Sequence, residues 1–120
     1  MPDIPRRDRP ERHLPLSEPV FQILLTLSDR DLHGYAIIQD IRARTAGEVD
    51  LTASTLYAAV KRLLDADLIR EVKQRPAADD PRRRYYQITA LGLVVARLET
   101  ARLERTLRMA RQKRLAPGKA

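Results

Sequence analysis

The sequence contains 120 residues, which is enough for one compact domain with a modest hydrophobic core. It has 23 Lys and Arg residues against 16 Asp and Glu, and the resulting formal net charge of +7 favours a polyanionic partner such as nucleic acid. The absence of cysteine excludes disulfides and thiolate metal sites, and no apolar run approaches the ~20 residues that a membrane span requires, so we expect a cytoplasmic protein with no membrane association.

The two ends of the chain are polar and rich in proline or basic residues. The opening stretch MPDIPRRDRPERHLP carries four prolines and four arginines with little apolar content. A segment of this kind buries too little surface to offset its ordering entropy. We therefore expect a disordered arm over residues 1–15 and a short tail over residues 115–120.

Two short helices are predicted after the arm. Ser17 is a good N-cap for a helix over residues 18–28, and Gly47 follows the end of a second helix over residues 34–44. Apolar residues recur at helical spacing in the first helix, at Val20, Ile23, Leu24 and Leu27. The predicted apolar stripe of the second helix consists of Tyr35, Ile38 and Ile41.

A third helix is predicted from the N-cap residue Thr52 to about residue 66. One of its faces is apolar and contains Leu56, Val60, Leu63 and Leu64. Polar and basic side chains lie off that face or at its edges, namely Ser54, Thr55, Tyr57, Lys61 and Arg62. Three short helices with brief connections are typical of a helix-turn-helix bundle.

The composition then changes to that of a β-hairpin. Residues 68–75 and 84–89 are rich in strand-forming residues, and the stretch PAADDP between them forms turns readily. Three arginines lie at the tip and on the rising strand of this hairpin, at Arg82, Arg83 and Arg84. Because strand residues alternate between faces, at most two of them point the same way. We expect one of them to pair with Asp79 or Asp80.

Thr89 caps a long helix that we predict over residues 90–114. The second half of this helix projects past a small domain and carries an apolar patch, and exposed apolar patches usually mark an interaction surface. We therefore predict a dimer interface formed by Leu98, Leu103, Leu107 and Ala110. The alternative is that this helix folds back on the first helix of its own chain.

The order of these elements predicts a mainly α fold with a small β-hairpin. The hypothesis is a winged helix-turn-helix domain over residues 16–89, followed by a long C-terminal dimerisation helix. In this architecture the third helix enters the DNA major groove. The predicted DNA-binding residues are Ser54, Thr55, Tyr57, Lys61, Arg62, Arg82, Arg83 and Arg84. Alternatives remain open for three of them: Thr55 as a local cap, Tyr57 as a ring packed on the second helix, and Arg62 as solvated surface.

Three stretches of the chain resemble one family in order and spacing. HGYAIIQDI (residues 33–41), TLYAAVKRLLDADLI (55–69) and RRYYQITALG (83–92) are similar to the successive signatures of the PadR family of transcriptional regulators. The resemblance covers roughly residues 16–110. Where the family often has a glycine before the basic pair of the wing, this chain has Asp80-Pro81-Arg82.

The resemblance implies a winged-helix homodimer that represses transcription from double-stranded DNA, and a small aromatic or drug-like effector that releases it. It assigns Thr55, Tyr57 and Lys61 to the recognition helix. It also assigns Arg83 and Arg84 to the basic pair of the wing. Gly34 matches a position where a small residue fits a tight helix entry.

Other function classes find little support in the sequence. The two histidines fall in the arm and at a helix start, and no glycine-rich phosphate loop appears, so we predict no catalytic residue, metal or cofactor. A winged-helix module that binds protein rather than DNA is the alternative, since a fold does not fix a function. The polar, basic outer face of the third helix argues against it, because a protein-docking face is more apolar.

Overall fold

The computed structural model describes residues 9–73 and 80–118. Within these residues a 3-10 helix, four α-helices and three short strands follow one another along the chain. Their bounds are Pro10–His13 for the 3-10 helix, α1 Glu18–Leu27, β1 Leu32–His33, α2 Gly34–Arg44, α3 Ala53–Asp65, β2 Ile69–Val72, β3 Tyr85–Ile88 and α4 Ala90–Gln112. The predicted winged helix with a long C-terminal helix is confirmed, and each helix lies within two residues of its predicted bounds.

The strands form one antiparallel sheet in the order β1-β3-β2. In the hairpin, Ile69 lies opposite Ile88 and Val72 lies opposite Tyr85. The sequence analysis missed β1, whose two residues pair with Tyr86 and Tyr85, because two residues are too few to show a strand period. Both hairpin strands are shorter than predicted, and the turn at residues 76–79 lies outside the described residues.

The core lies between α1, α2, α3 and the sheet, and it includes the first half of α4. The predicted apolar face of α1 is buried in full, and Leu56, Val60 and Leu63 of α3 are buried as predicted, whereas Leu64 is half-buried. The predicted stripe of α2 was wrong at Tyr35, whose side chain is 63% exposed. Ile37 occupies the buried face instead, one helical turn before Ile41.

The start of α4 is fixed directly against the connection between α3 and β2. The Thr89 hydroxyl accepts a hydrogen bond from the Gly92 N–H (3.0 Å) and donates one to the Asp67 carbonyl (2.7 Å). A β-carbon on Gly92 would lie 2.1 Å from the Leu68 carbonyl oxygen, so only glycine permits this close approach. The direction in which α4 leaves the domain is therefore tied to the end of α3.

The N-terminal segment differs from the expected disordered arm in its described part. The 3-10 helix Pro10–His13 packs against α4, and Leu14 and Leu16 pack against the core. Two leucines within an otherwise polar stretch are enough to anchor it, because the core beneath them is already formed. Residues 1–8 of the predicted arm and residues 119–120 of the predicted tail lie outside the described residues.

Candidate nucleic-acid interface

Helix α3 is held at both ends by local hydrogen bonds. The Thr52 hydroxyl accepts from the Thr55 N–H (3.1 Å), which confirms Thr52 as the N-cap. After the helix, Asp67 adopts a left-handed conformation (φ 58°), and the Leu68 N–H returns to the Leu63 carbonyl (2.9 Å). These two ends fix which side of α3 faces outward.

The outward side of α3 carries all five residues that the sequence analysis selected there. Ser54, Thr55, Tyr57, Lys61 and Arg62 are exposed, while the opposite side packs into the core. The Thr55 hydroxyl lies 3.0 Å from the Thr52 hydroxyl, so this side chain takes part in the N-terminal cap while remaining accessible. The helix therefore presents hydroxyl, phenol and cationic groups to solvent from its first turn to its last.

Tyr57 lies across the entry to α2. A β-carbon on Gly34 would come within 2.6 Å of the Tyr57 hydroxyl oxygen and 3.1 Å of the ring. Gly34 is thus the small residue that lets the phenol approach the backbone, while 52% of Tyr57 stays exposed. Packing on the second helix and outward presentation, which the sequence left as alternatives, both describe this side chain.

The two basic residues in the last turns of α3 face different surroundings. Lys61 forms an ion pair with Asp65 one turn later (3.2 Å), and both side chains are well exposed. Arg62 lines a separate hollow with His13 and Ser17 of the N-terminal segment. The structure therefore groups Lys61 with the outer face and places Arg62 at its edge.

Asp80 organises the described part of the wing. Its side-chain oxygen accepts from the Arg82 N–H (2.9 Å), and its carbonyl accepts from the Arg83 N–H (3.1 Å), which together form a turn. The carboxylate also holds the Arg82 guanidinium through two contacts of 3.2 and 3.0 Å. The predicted pairing of an arginine with a neighbouring aspartate is thereby confirmed for Asp80, while Asp79 lies outside the described residues.

The three wing arginines do not alternate along a strand as expected. The turn that begins at Asp80 extends to Arg83, so β3 begins only at Tyr85. Arg82, Arg83 and Arg84 therefore all lie before the strand. All three are exposed, and the Arg84 guanidinium comes within 4.0 Å of the Glu71 carboxylate on the neighbouring strand. A turn can direct more of these cations to one side than a pleated strand would.

One hollow connects the wing to the outer face of α3. Residues from the start of α2, from α3 and from the wing line it: His33, Gly34, Tyr35, Tyr57, Arg82, Arg83, Arg84 and Tyr86. Tyr86 lies at its base and is 3% exposed; burial raises the pKa of its phenol, which stays protonated at neutral pH. The hollow therefore combines three phenol rings with three arginine guanidinium groups.

Four residues of this hollow were not among the predicted site residues: His33, Gly34, Tyr35 and Tyr86. Tyr35 was assigned to the core, although its position two residues before Ile37 turns it away from the buried face. His33 caps α2, as its position at a helix start indicated, by accepting from the Ala36 N–H at Nδ1 (3.3 Å). Its ring also meets Tyr85 edge to face, with 5.3 Å between ring centres.

The predicted dimer residues lie along α4 between Leu98 and Ala110. Leu103 and Leu107 are each 40% exposed, whereas Leu98 and Ala110 are half-buried. Leu107 lines a shallow hollow with Glu104, Arg108 and Arg111, all on the same helix. An apolar row formed by Leu103, Leu107 and Ala110, with charged borders, thus extends beyond the winged-helix domain.

Two features typical of other protein classes are missing from residues 9–73 and 80–118. No cluster of three His, Cys, Asp or Glu side chains among them is arranged to hold a metal ion. In the same part of the chain, no helix has both the length and the apolar character needed to cross a bilayer.

Comparisons with known proteins agree with this geometry. The fold is that of a winged-helix protein, and a transcriptional regulator from Clostridium thermocellum superposes with a TM-score of 0.68 at 28% identity, over 78% of this chain and 87% of that one. PadR from Bacillus subtilis, solved in complex with operator DNA, superposes with a TM-score of 0.59 at 20% identity, over 69% of this chain and 46% of that one. At that identity the second likeness establishes the fold alone.

The family itself is established by sequence. The transcriptional regulator PadR-like family matches residues 23–98, more than half of the chain, and the chain therefore belongs to this family. An uncharacterized protein from Lysinibacillus sphaericus is 37% identical over 70 residues, which are 58% of this chain and 63% of that protein. The chain thus spans less than two thirds of the length of this relative. Members of the family regulate transcription and are not enzymes.

Proposed function

We propose that this chain binds double-stranded DNA in a sequence-specific manner, with α3 in the major groove and the wing on the adjacent backbone. One observation carries the proposal: Tyr57 of α3 and the three wing arginines line the same hollow. A duplex that lies against α3 therefore meets the wing cations at the same time. Base contacts from α3 provide the sequence choice, and phosphate contacts provide most of the affinity.

The charge distribution supports this role for the wing. The ion pair between Arg82 and Asp80 is exposed on the arginine side, where such pairs contribute only about 0–1 kcal/mol. A DNA phosphate can replace the carboxylate at small cost, while the Asp80 turn keeps the guanidinium near the groove. The formal net charge of +7 favours association with the same polyanion.

We further propose that the functional unit is a homodimer formed through Leu98, Leu103, Leu107 and Ala110 of α4. A two-fold dimer presents two copies of α3, which match the two half-sites of a palindromic operator. Binding at such an operator supports the role of a repressor. A protein with this role acts in the compartment that holds the DNA, the cytoplasm. A small aromatic or drug-like effector that releases the repressor is proposed on the family resemblance.

Titration of two labelled duplexes tests the DNA-binding proposal. One contains the DNA upstream of the protein's own coding sequence, and the other is a scrambled duplex of equal length and composition; both are titrated at two salt concentrations. We expect tight binding to the upstream duplex alone, with an affinity that falls steeply as salt rises. Equal and feeble binding to both duplexes would contradict the proposal and favour the protein-docking alternative.

A further inference from the structure

Glu99 is a buried acid at the point where α4 leaves the winged-helix domain. The residue is 1% exposed, although it lies on a helix whose later described residues are all at least partly exposed. Val95 and Ala96, one turn earlier, belong to the core, and residues 100–112 continue the helix for about 20 Å beyond Glu99. This carboxylate therefore marks the last place where α4 is held inside its own domain.

Both oxygens of the Glu99 carboxylate have partners. Oε2 accepts from the Leu16 N–H (2.8 Å), and Oε1 pairs with the Arg102 guanidinium. Burial alone raises the pKa of the Glu99 carboxyl, but these hydrogen bonds and the charge of Arg102 outweigh burial and hold the pKa below its ordinary value. The group is thus ionised at neutral pH and remains a strong acceptor.

The hydrogen bond to Leu16 joins two segments that are 83 residues apart in the sequence. Leu16 directly precedes α1, and the 3-10 helix before it packs on α4. The N-terminal segment therefore runs across α4 as a strap that is fixed at Glu99. The opposite attachment of α4 is at Gly92, against the connection that ends α3.

We propose that Glu99 is a positioning residue, which sets the angle at which α4 projects and thereby the separation of the two recognition helices in a dimer. A buried, hydrogen-bonded charge tolerates fewer orientations than an apolar contact does, because its partners must keep their geometry. A small change of angle at Glu99 is carried along the projecting part of the helix to the predicted dimer contacts. The inference rests on the homodimer of the proposed function.

Because the chain contains no cysteine, a single introduced cysteine allows the separation of the two recognition helices to be measured directly. Ala58→Cys creates one labelling site on the exposed face of α3, and pulsed electron paramagnetic resonance then gives the distance between the two nitroxides of a dimer. Glu99→Leu removes both interactions at similar size, whereas Glu99→Gln removes the charge and keeps one acceptor oxygen for the Leu16 N–H. Val95→Ala is the control, since it weakens the packing of α4 one turn away and leaves the strap in place.

We expect a narrow distance distribution in the parent protein and in Val95→Ala, and a shifted or broadened one in Glu99→Leu. Glu99→Gln should show the same change to a smaller extent. If the leucine variant does not fold, the distance distribution of Glu99→Gln alone tests the inference. Unchanged distributions in the Glu99 variants would overturn the inference and leave the DNA-binding proposal standing. Equal changes in Val95→Ala would also overturn it, since general loosening would then explain the result. A parent protein without a dipolar signal would overturn the dimer and this inference together.

Discussion

The Tyr57 hydroxyl lies 2.6 Å from the point that a β-carbon on residue 34 would occupy, so the phenol rests against the backbone of Gly34. The severe clash that a larger residue creates falls on the far end of a half-exposed side chain, and Tyr57 can swing away from it. The added β-carbon would also lie 3.1 Å from Cδ2 of the buried Leu56, which has to yield slightly. A substitution at Gly34 therefore changes the geometry of the proposed DNA interface more than it changes the stability of the fold.

Gly34→Ala should displace Tyr57 and leave the fold largely intact. Alanine is favoured over glycine in helix interiors by about 0.8–1 kcal/mol, and at the first residue of α2 a part of this preference offsets the strain, so we expect the free energy of unfolding to change by less than about 1 kcal/mol. Affinity for the upstream duplex should fall roughly tenfold, about 1.4 kcal/mol. Denaturant unfolding and duplex titration measure the two effects.

A double-mutant cycle with Tyr57→Phe tests the cause. Removal of the hydroxyl takes away the closest atom, so the two substitutions should be non-additive in binding. An affinity that Gly34→Ala leaves unchanged would show that the position of Tyr57 does not matter to DNA binding.

Lys61→Ala should weaken operator binding with little effect on stability. The Lys61–Asp65 pair is exposed and spaced by one helical turn, so its loss costs the fold only about 0.3–0.5 kcal/mol. Loss of a DNA contact should cost about 1 kcal/mol or more in binding free energy. Titration at fixed salt measures this change.

Lys113→Ala is the matched control, because it removes the same charge just beyond α4 and far along the chain from α3. If both variants lose the same affinity, general electrostatics explains the effect. Lys61 would then have no specific role.

Arg84→Ala should reduce the slope of log affinity against log salt by about one unit, because one phosphate contact is lost. Arg70→Ala is the control, since it removes one charge from the same hairpin at a side chain that is hydrogen-bonded to Gln87 (2.7 Å). Titrations across a salt series give both slopes. Equal slopes in the parent and in Arg84→Ala would place Arg84 off the DNA backbone.

Leu103→Glu combined with Leu107→Glu should give a folded monomer that no longer binds the operator tightly. Both leucines are 40% exposed in the single chain, so the charges disturb the proposed dimer contact more than the core. Analytical ultracentrifugation measures the mass, and circular dichroism checks the fold. Arg105→Glu, about 200° around the helix from Leu103, should stay dimeric. A double variant that remains a dimer would place the interface elsewhere.

The helices of this domain could be predicted from sequence because their apolar residues recur with a clear period. α1 is the simplest example: Val20, Ile23, Leu24 and Leu27 predicted its buried face, and all four are buried. α3 was predicted equally well because a good N-cap, an apolar face and a polar face agree there. The DNA-binding role of the polar face stays a prediction.

The remaining features depend on contacts that no local pattern contains. The position of the wing arginines follows from the Asp80 side chain, which begins a turn that continues to Arg83, before β3 begins at Tyr85. In the sequence, Glu99 resembles an exposed residue of a long helix, yet it is buried and its carboxylate accepts from a backbone N–H 83 residues away. Local periodicity cannot report a partner at that distance in sequence.

The contacts of the Asp40 carboxylate should make the free energy of unfolding depend on pH. Its carboxylate accepts from the Thr26 hydroxyl (2.8 Å) and from the Arg44 guanidinium (2.8 Å), which joins α2 to α1. Burial alone raises the pKa of Asp40, but these hydrogen bonds, with the charges of Arg44 and Arg30, outweigh burial and hold the pKa below its ordinary value. Because the folded pKa is lowered, the stabilisation is complete above the unfolded value of about 4 and is lost as pH falls through the folded pKa.

Asp40→Asn should therefore lower the free energy of unfolding by about 1–3 kcal/mol at neutral pH, and the difference from the parent should shrink steadily below about pH 4. Asp50→Asn is the matched control, since Asp50 also accepts from an arginine, Arg42, but is 54% exposed. Its loss should cost less than about 1 kcal/mol, because water screens the pair. Denaturant unfolding from pH 3 to pH 7 measures both variants. A constant difference between Asp40→Asn and the parent over this range would show that the charge of Asp40 does not stabilise the contact between α1 and α2.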